Sequence, residues 1–131
     1  MKSMLTALLL VEVYLCDTCE DSIAEGLFET KDVFVGGQDK IREYRIPALV
    51  TTGKGTLIAV CDARVEKPAD AINNIDLAMK RSFDNGKTWG DLEVVWDDGG
   101  NTCGNPCPVI DQTTGIIWLL LTHNLGEDRE R

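Results

Sequence analysis

The sequence is poor in the features that mark several large classes of protein. Its 13 basic residues are outnumbered by 22 acidic ones, for a net charge of −9. Such a chain has no surplus of cations to neutralise nucleic-acid phosphates. Its longest apolar run, about a dozen residues near the N-terminus, is too short to cross a bilayer. We therefore expect neither a nucleic-acid partner nor stable membrane insertion.

Residues that bind metals or carry out proton chemistry are also scarce. His123 is the single histidine, and it ends an apolar stretch, where it is expected to close a strand. Five cysteines is an odd number, so at least one thiol is free or pairs between chains. Cys103 and Cys107 lie close together, but no second pair of ligands accompanies them. The sequence predicts no metal site and no cofactor.

The N-terminus has the pattern of an export signal. In "MKSMLTALLLVEVYLC" one lysine precedes the apolar run, as in secretory leaders. Glu12 interrupts the run and no small-x-small cleavage site follows, so a short core helix or strand is the alternative. We expect residues 1–24 to form a leader, residues 25–131 to fold, and the protein to be secreted or periplasmic.

From Tyr44 onwards the pattern is one of short strands and turns. Apolar or alternating segments recur about every ten residues between glycine-containing turns, which is typical of all-β proteins. Periodicity alone does not distinguish a sandwich, a barrel or propeller blades. The predicted strands are 32–37, 44–50, 56–64, 74–82, 92–96 and 116–124.

One turn carries a more specific pattern, "SFDNGKTW" at residues 82–89. Asp84 is placed to accept hydrogen bonds from the backbone of the turn, and Gly86 supplies a positive φ. Ser82 is placed to bond across the turn, followed by Thr88 and then by Trp89, whose ring is large enough to pack between hairpins. The pattern resembles the Asp-box of the sialidase superfamily, a structural motif that also occurs in other β-propellers.

The turn alone indicates a fold, and the segment "YRIP" at residues 44–47 adds an indication of a particular family. An arginine among apolar residues either snorkels to the surface or lines an anion-binding cavity. With "DAR" at 62–64 and "GNPCPVIDQTTG" at 104–115, the pattern from about residue 44 to 124 resembles the exo-α-sialidases. That resemblance implies an all-β fold, about two blades of a six-bladed sialidase propeller. It also implies retaining hydrolysis of terminal α-linked sialic acid from a sialylated glycan.

The resemblance also implies roles for individual residues. Arg45 matches the first of three arginines that bind the sialic-acid carboxylate, and Arg64 matches an arginine on the 4-hydroxyl and acetamido side. Asp70 matches the acid/base aspartate that protonates the leaving oxygen, with Asp62 and Asp76 as competitors for that role.

Two further assignments remain open in the sequence. Asn105 matches a position that contacts the N-acetyl end of the sugar, although Asn-Pro also simply opens turns. Tyr14 and Tyr44 are the only tyrosines, and neither matches the family's nucleophile or lies near a matching glutamate. We therefore expect an inactive, truncated part of the enzyme. The alternative is a non-catalytic propeller segment that binds glycans or merely packs.

Overall fold

A computed structural model describes residues 29–65 and 74–128 of the chain. The chain divides into two compact units, residues 1–30 and residues 31–131, and every strand described lies in the second. None of the described residues forms a helix of the length and hydropathy needed to cross a membrane. The strands are β1 (Glu43–Thr51), β2 (Leu57–Arg64), β3 (Ile75–Ser82), β4 (Glu93–Trp96), β5 (Thr102–Ile110) and β6 (Ile117–Asn124).

The first four strands form an antiparallel meander. β1 pairs with β2, β2 with β3, and β3 with β4, each antiparallel. β5 and β6 form a second antiparallel pair, which joins the first group through a parallel bridge between Ile75 of β3 and Thr102 of β5. A four-stranded meander followed by the start of another is the arrangement expected of consecutive propeller blades.

The core of this unit lies along β2 and the adjoining half of β3. In β2, Ala59 to Arg64 are all buried, as expected for a segment that is apolar on both faces. The segment 74–82 was expected to be buried on one face, but Ile75 to Ala78 are buried on both. β3 is the central strand, paired with β2 on one side and with β4 and β5 on the other, so neither of its edges faces water.

One predicted strand is wrong, and one observed strand was not predicted. Residues 32–37 form no strand, since the chain turns where Gly37 N–H donates to Ile41 and where Asp39 and Lys40 adopt positive φ. Residues 102–110, for which no strand was predicted, form strand β5. Proline is tolerated there because Pro106 lies in a bulge, where ladder hydrogen bonds are already interrupted.

The turn at residues 82–89 has the hydrogen bonds that its sequence predicts. Asp84 accepts from the backbone N–H of Thr88 at 2.8 Å and from its hydroxyl at 2.6 Å. Ser82 accepts from the N–H of Gly86 at 2.9 Å, and Gly86 has φ +85°. These bonds hold the pKa of Asp84 at about 2, mainly through Thr88. The turn follows the end of β3 opposite to Ile75, roughly 23 Å along the strand.

Candidate active site

A cleft of about 180 Å³ opens where β1, β2 and β5 meet the start of β3. The aliphatic side chains of Ile46 and Ile75 form part of its wall. Arg45, Arg64 and Asn105, predicted from three separate segments, come together here. The polar and small residues that line the cleft are Arg45, Asp62, Arg64, Thr102, Gly104 and Asn105.

Two strand bulges give the cleft its shape. In β1 the register shifts between Arg45 and Ala48, and in β5 it shifts between Gly104 and Cys107. Each bulge contains a residue with positive φ followed by proline, at 46–47 and at 105–106. Ile46 has φ +50° and Asn105 has φ +54°. Such a backbone is strained for a β-branched residue, and bulges near functional sites re-aim the neighbouring side chains.

Asp62 connects β2 to the bulge of β5. Its side chain is buried, with 3% exposed, and its Oδ1 accepts the backbone N–H of Asn105 at 2.9 Å. A Cβ on Gly104 would lie 3.0 Å from Oδ2 of Asp62. Glycine at 104 therefore leaves room for the carboxylate to approach the backbone of β5. Asp62 is also the register partner of Arg45 across β1 and β2.

The side chain of Asn105 is held by the last strand. Its Nδ2 donates to Oγ1 of Thr122 at 2.9 Å. The hydroxyl of Thr122 in turn donates to the carbonyl oxygen of Gly104 at 3.1 Å. Thr122 lies opposite Gly104 in the β5–β6 register, which places its hydroxyl beside the bulge.

The two arginines of the cleft differ in burial. Arg64 is 2% exposed, so it is not a surface arginine at the end of its strand. Arg45 is exposed on β1 and lines the cleft beside the bulge. In a chain of net charge −9, two guanidinium groups at one cleft form a local site suited to a planar anion.

The predicted acid/base residue, Asp70, lies outside the described residues. Of its competitors, Asp62 lines the cleft, whereas Asp76 is not among the described residues that do so. Burial, followed by the charge of Asp97 and a hydrogen bond to it, raises the pKa of Asp76 to about 6. Within residues 29–65 and 74–128, no group of three histidine, cysteine or acidic side chains could hold a metal ion.

Sequence reasoning missed the residues that support the predicted ones. Asp62 was considered only as a rival acid, although it belongs to the segment "DAR", and Thr122 was not considered. The bulges did leave a signal: Ile46–Pro47 and Asn105–Pro106 each interrupt a strand with a residue that cannot donate to the ladder.

Comparison with known proteins shows which family the chain is related to. The chain is 36% identical over 103 residues to a sialidase of Bacteroides fragilis, and the aligned region covers 71% of the chain. It is 35% identical over 100 residues to a sialidase of Micromonospora viridifaciens, which covers 72% of the chain. The chain belongs to the sialidase family. A solved Hadza microbial sialidase superposes with a TM-score of 0.65 at 34% identity over 73% of the chain.

These matches confirm the expected all-β fold, part of a sialidase β-propeller. No protein-family model matches the chain. The chain spans 19% of the length of the Bacteroides fragilis sialidase and 15% of the Micromonospora viridifaciens sialidase. The structural match covers 20% of the Hadza sialidase. The described sheet is thus one part of a larger sialidase architecture.

Proposed function

We propose that this chain contributes the first part of the sialic-acid pocket of an exo-α-sialidase. The observation that carries the proposal is that Arg45, Arg64 and Asn105 line one cleft. In this assignment the guanidinium of Arg45 binds the sugar carboxylate by paired, charge-assisted hydrogen bonds. Arg64 binds the 4-hydroxyl and acetamido side, and Asn105 contacts the N-acetyl end.

We assign the proton donor to Asp70. Arg64 and Ile75, which bracket the connection from β2 to β3, pair across the two strands and both line the cleft. The two described residues that flank the connection containing Asp70 therefore both lie at the cleft. An aspartic acid there would protonate the leaving glycosidic oxygen. The reaction proposed for the whole enzyme is retaining hydrolysis, in which other parts of the propeller supply a tyrosine nucleophile, its glutamate and two further arginines.

The alternative is a propeller segment without catalysis that binds glycans or only packs. The turn at residues 82–89, assigned as an Asp-box, would serve such a segment equally well, since it follows the end of β3 remote from Ile75. A packing module has no need for an arginine pair and a buried Asp62 at one cleft. The cleft residues therefore favour the enzyme.

We also propose the chain's place in the parent protein. Residues 1–24 act as an export leader and residues 25–131 form the N-terminal blades of a secreted or periplasmic catalytic domain. The apolar run behind a single lysine is the support for export. The substrate class that follows is a sialylated glycan outside the cell membrane.

Arg45→Lys in the complete enzyme tests the function. The positive charge is kept but the planar fork is lost. We expect kcat/KM for a sialoside to fall about a hundredfold, since hydrogen bonds to charged groups contribute roughly 1.5–3 kcal/mol. Arg81→Lys is the matched control, because Arg81 pairs with Glu93 on the exposed surface and is not a cleft residue. Unfolding temperatures of both variants should stay near that of the wild type. Near wild-type turnover by Arg45→Lys would remove Arg45 from the substrate site.

A further inference from the structure

We propose that Thr122 and Asp62 are positioning residues that hold Asn105 in one orientation and so set selectivity for the substituent this residue contacts. The inference rests on the proposed function, in which Asn105 meets the N-acetyl end of sialic acid. Thr122 lies on β6 and Asp62 on β2, so two strands fix one residue of β5. Neither residue needs to contact the reacting atoms.

The backbone of Asn105 is fixed by Asp62. Asn105 has φ +54° and precedes Pro106, a combination that a residue adopts only when its surroundings impose it. The bulge takes its N–H out of the β5–β6 ladder, and the Oδ1 of Asp62 accepts this N–H at 2.9 Å. A carboxylate acceptor gives a stronger hydrogen bond than a neutral one. Asp62 therefore compensates for the ladder bond that the bulge removes.

The side chain of Asn105 is oriented by Thr122. A hydroxyl has one proton, and that of Thr122 is directed to the carbonyl of Gly104 at 3.1 Å. Its oxygen then acts as the acceptor towards Asn105, so it selects the amide nitrogen, at 2.9 Å, rather than the amide oxygen. The amide oxygen is left to accept a hydrogen bond from a ligand N–H. An acetamido group offers such a donor, whereas a hydroxyl in its place is a weaker match.

The same chain of bonds explains why asparagine rather than aspartate suits this site. An aspartate at 105 would offer only acceptor oxygens. Thr122 would then have to donate to that aspartate, and the carbonyl of Gly104 would lose the hydrogen bond from the Thr122 hydroxyl. The pairing of Asn105 with Thr122 is thus a matched donor and acceptor pair.

The experiment compares Thr122→Val, Thr122→Ser and Thr51→Val in the complete enzyme. Valine keeps the shape of threonine without the hydroxyl, serine keeps the hydroxyl, and Thr51 is an exposed β1 residue outside the cleft. The substrates are a sialoside and its analogue with a hydroxyl in place of the acetamido group. We expect Thr122→Val to reduce the preference for the acetamido sugar about fivefold to tenfold, through KM and with little change in kcat. Thr122→Ser and Thr51→Val should keep the preference.

A second measurement does not depend on activity. In enzyme labelled with ¹⁵N-asparagine, the side-chain amide signals of Asn105 should shift in Thr122→Val and stay in place in Thr122→Ser. Unchanged selectivity and unchanged amide signals in Thr122→Val would overturn the inference. If the wild-type enzyme hydrolysed neither sialoside, the proposed function and the selectivity claim would both fail, and the amide signals alone would decide the contact with Thr122.

Discussion

Two aspartates, Asp62 in the cleft and Asp70 in the connection between β2 and β3, are candidates for the proton donor, and the effects of substituting each should distinguish them. Asp62 is buried and its Oδ1 already accepts a hydrogen bond from the backbone of Asn105. A residue engaged in this way is suited to support rather than to proton transfer. The segment containing Asp70 begins and ends beside the cleft, at Arg64 and Ile75.

We expect Asp70→Asn to slow a natural sialoside about 10²–10⁴-fold and an activated phenyl sialoside much less, because a good leaving group does not need a proton. Asp62→Asn keeps an acceptor for the N–H of Asn105, so both substrates should slow by the same, smaller factor. The measurement is kcat/KM for the two substrates, with Asp111→Asn as control. Asp111 accepts hydrogen bonds within the 111–116 turn and is not a cleft residue. If only Asp62→Asn discriminated between the leaving groups, the two assignments would be exchanged.

The residues of the site were predictable where their chemistry conflicts with their surroundings. Arg45 is conspicuous as a charge within an apolar strand, and the cleft accounts for it. Thr122 shows no such conflict in the sequence, and the charge of Asp62 within an apolar strand does not by itself distinguish an acid catalyst from a supporting residue. Their roles depend on contacts with Asn105 across 43 and 17 residues of chain, respectively. Contacts of this kind follow from how strands are ordered in the sheet, which local patterns do not specify.

At the scale of elements, the strands were predictable wherever apolar residues run uninterrupted between glycine turns. β5 was missed because its prolines argue against a strand, and the bulge explains how one of them, Pro106, is accommodated. The segment 32–37 was wrongly predicted as a strand because its apolar residues outweighed its two glycines. Bulges thus mark both the limit of strand prediction and the place where the cleft forms.

β3 carries a buried carboxyl group, that of Asp76, whose effect on the free energy of unfolding depends on pH. The pKa of Asp76 is raised from 3.8 to about 6 by burial and by Asp97. The folded state therefore favours the protonated form, so stability is greatest below about pH 4 with respect to this group and declines as pH rises through 6. Asp76→Asn keeps a donor towards Asp97 and carries no charge. We expect this variant to be more stable than the wild type at pH 8, by up to about 2–3 kcal/mol, and equal to it near pH 4.

The effect of Asp84 on the free energy of unfolding depends on pH in the opposite direction, and Asp84→Asn tests it. The pKa of Asp84 is lowered to about 2 by Thr88 and Ser82, so its contribution is present above pH 4 and is lost only as pH falls through 2. Unfolding of the complete protein from about pH 2 to 8 measures both variants, since the window for Asp84 lies below pH 4 and that for Asp76 lies above it. A stability difference between Asp76→Asn and the wild type that did not grow with pH would show that Asp76 is already ionised in the folded protein.

At the scale of the whole molecule, the sheet exposes apolar surface along its outer strands. On β4, Val94 is 53% exposed and Trp96 is 49% exposed. On β6, Trp118 is 62% exposed and Leu120 is 59% exposed. On β6 the two residues are two apart, so both lie on one face of the strand. On β4 the register shifts between Val94 and Trp96, which interrupts this alternation. Within the described sheet, β1 pairs with β2 alone, β4 with β3 alone and β6 with β5 alone, so each of these three strands has one unpaired edge.

Such edges and faces promote association when no further strands cover them. We therefore expect residues 25–131, expressed alone, to form oligomers and to lack sialidase activity. The cleft contains Arg45, one of three carboxylate-binding arginines of the proposed mechanism, and its described residues include no tyrosine. Light scattering measures the size of the species, and an activated sialoside measures turnover.

Trp118→Lys combined with Leu120→Lys is the matched variant, since charges on an edge strand oppose pairing. It should shift the mass towards the monomer without restoring activity. A monodisperse, wild-type monomer that turned over the sialoside would contradict both the exposed-edge argument and the division of the catalytic residues between this chain and the rest of the propeller.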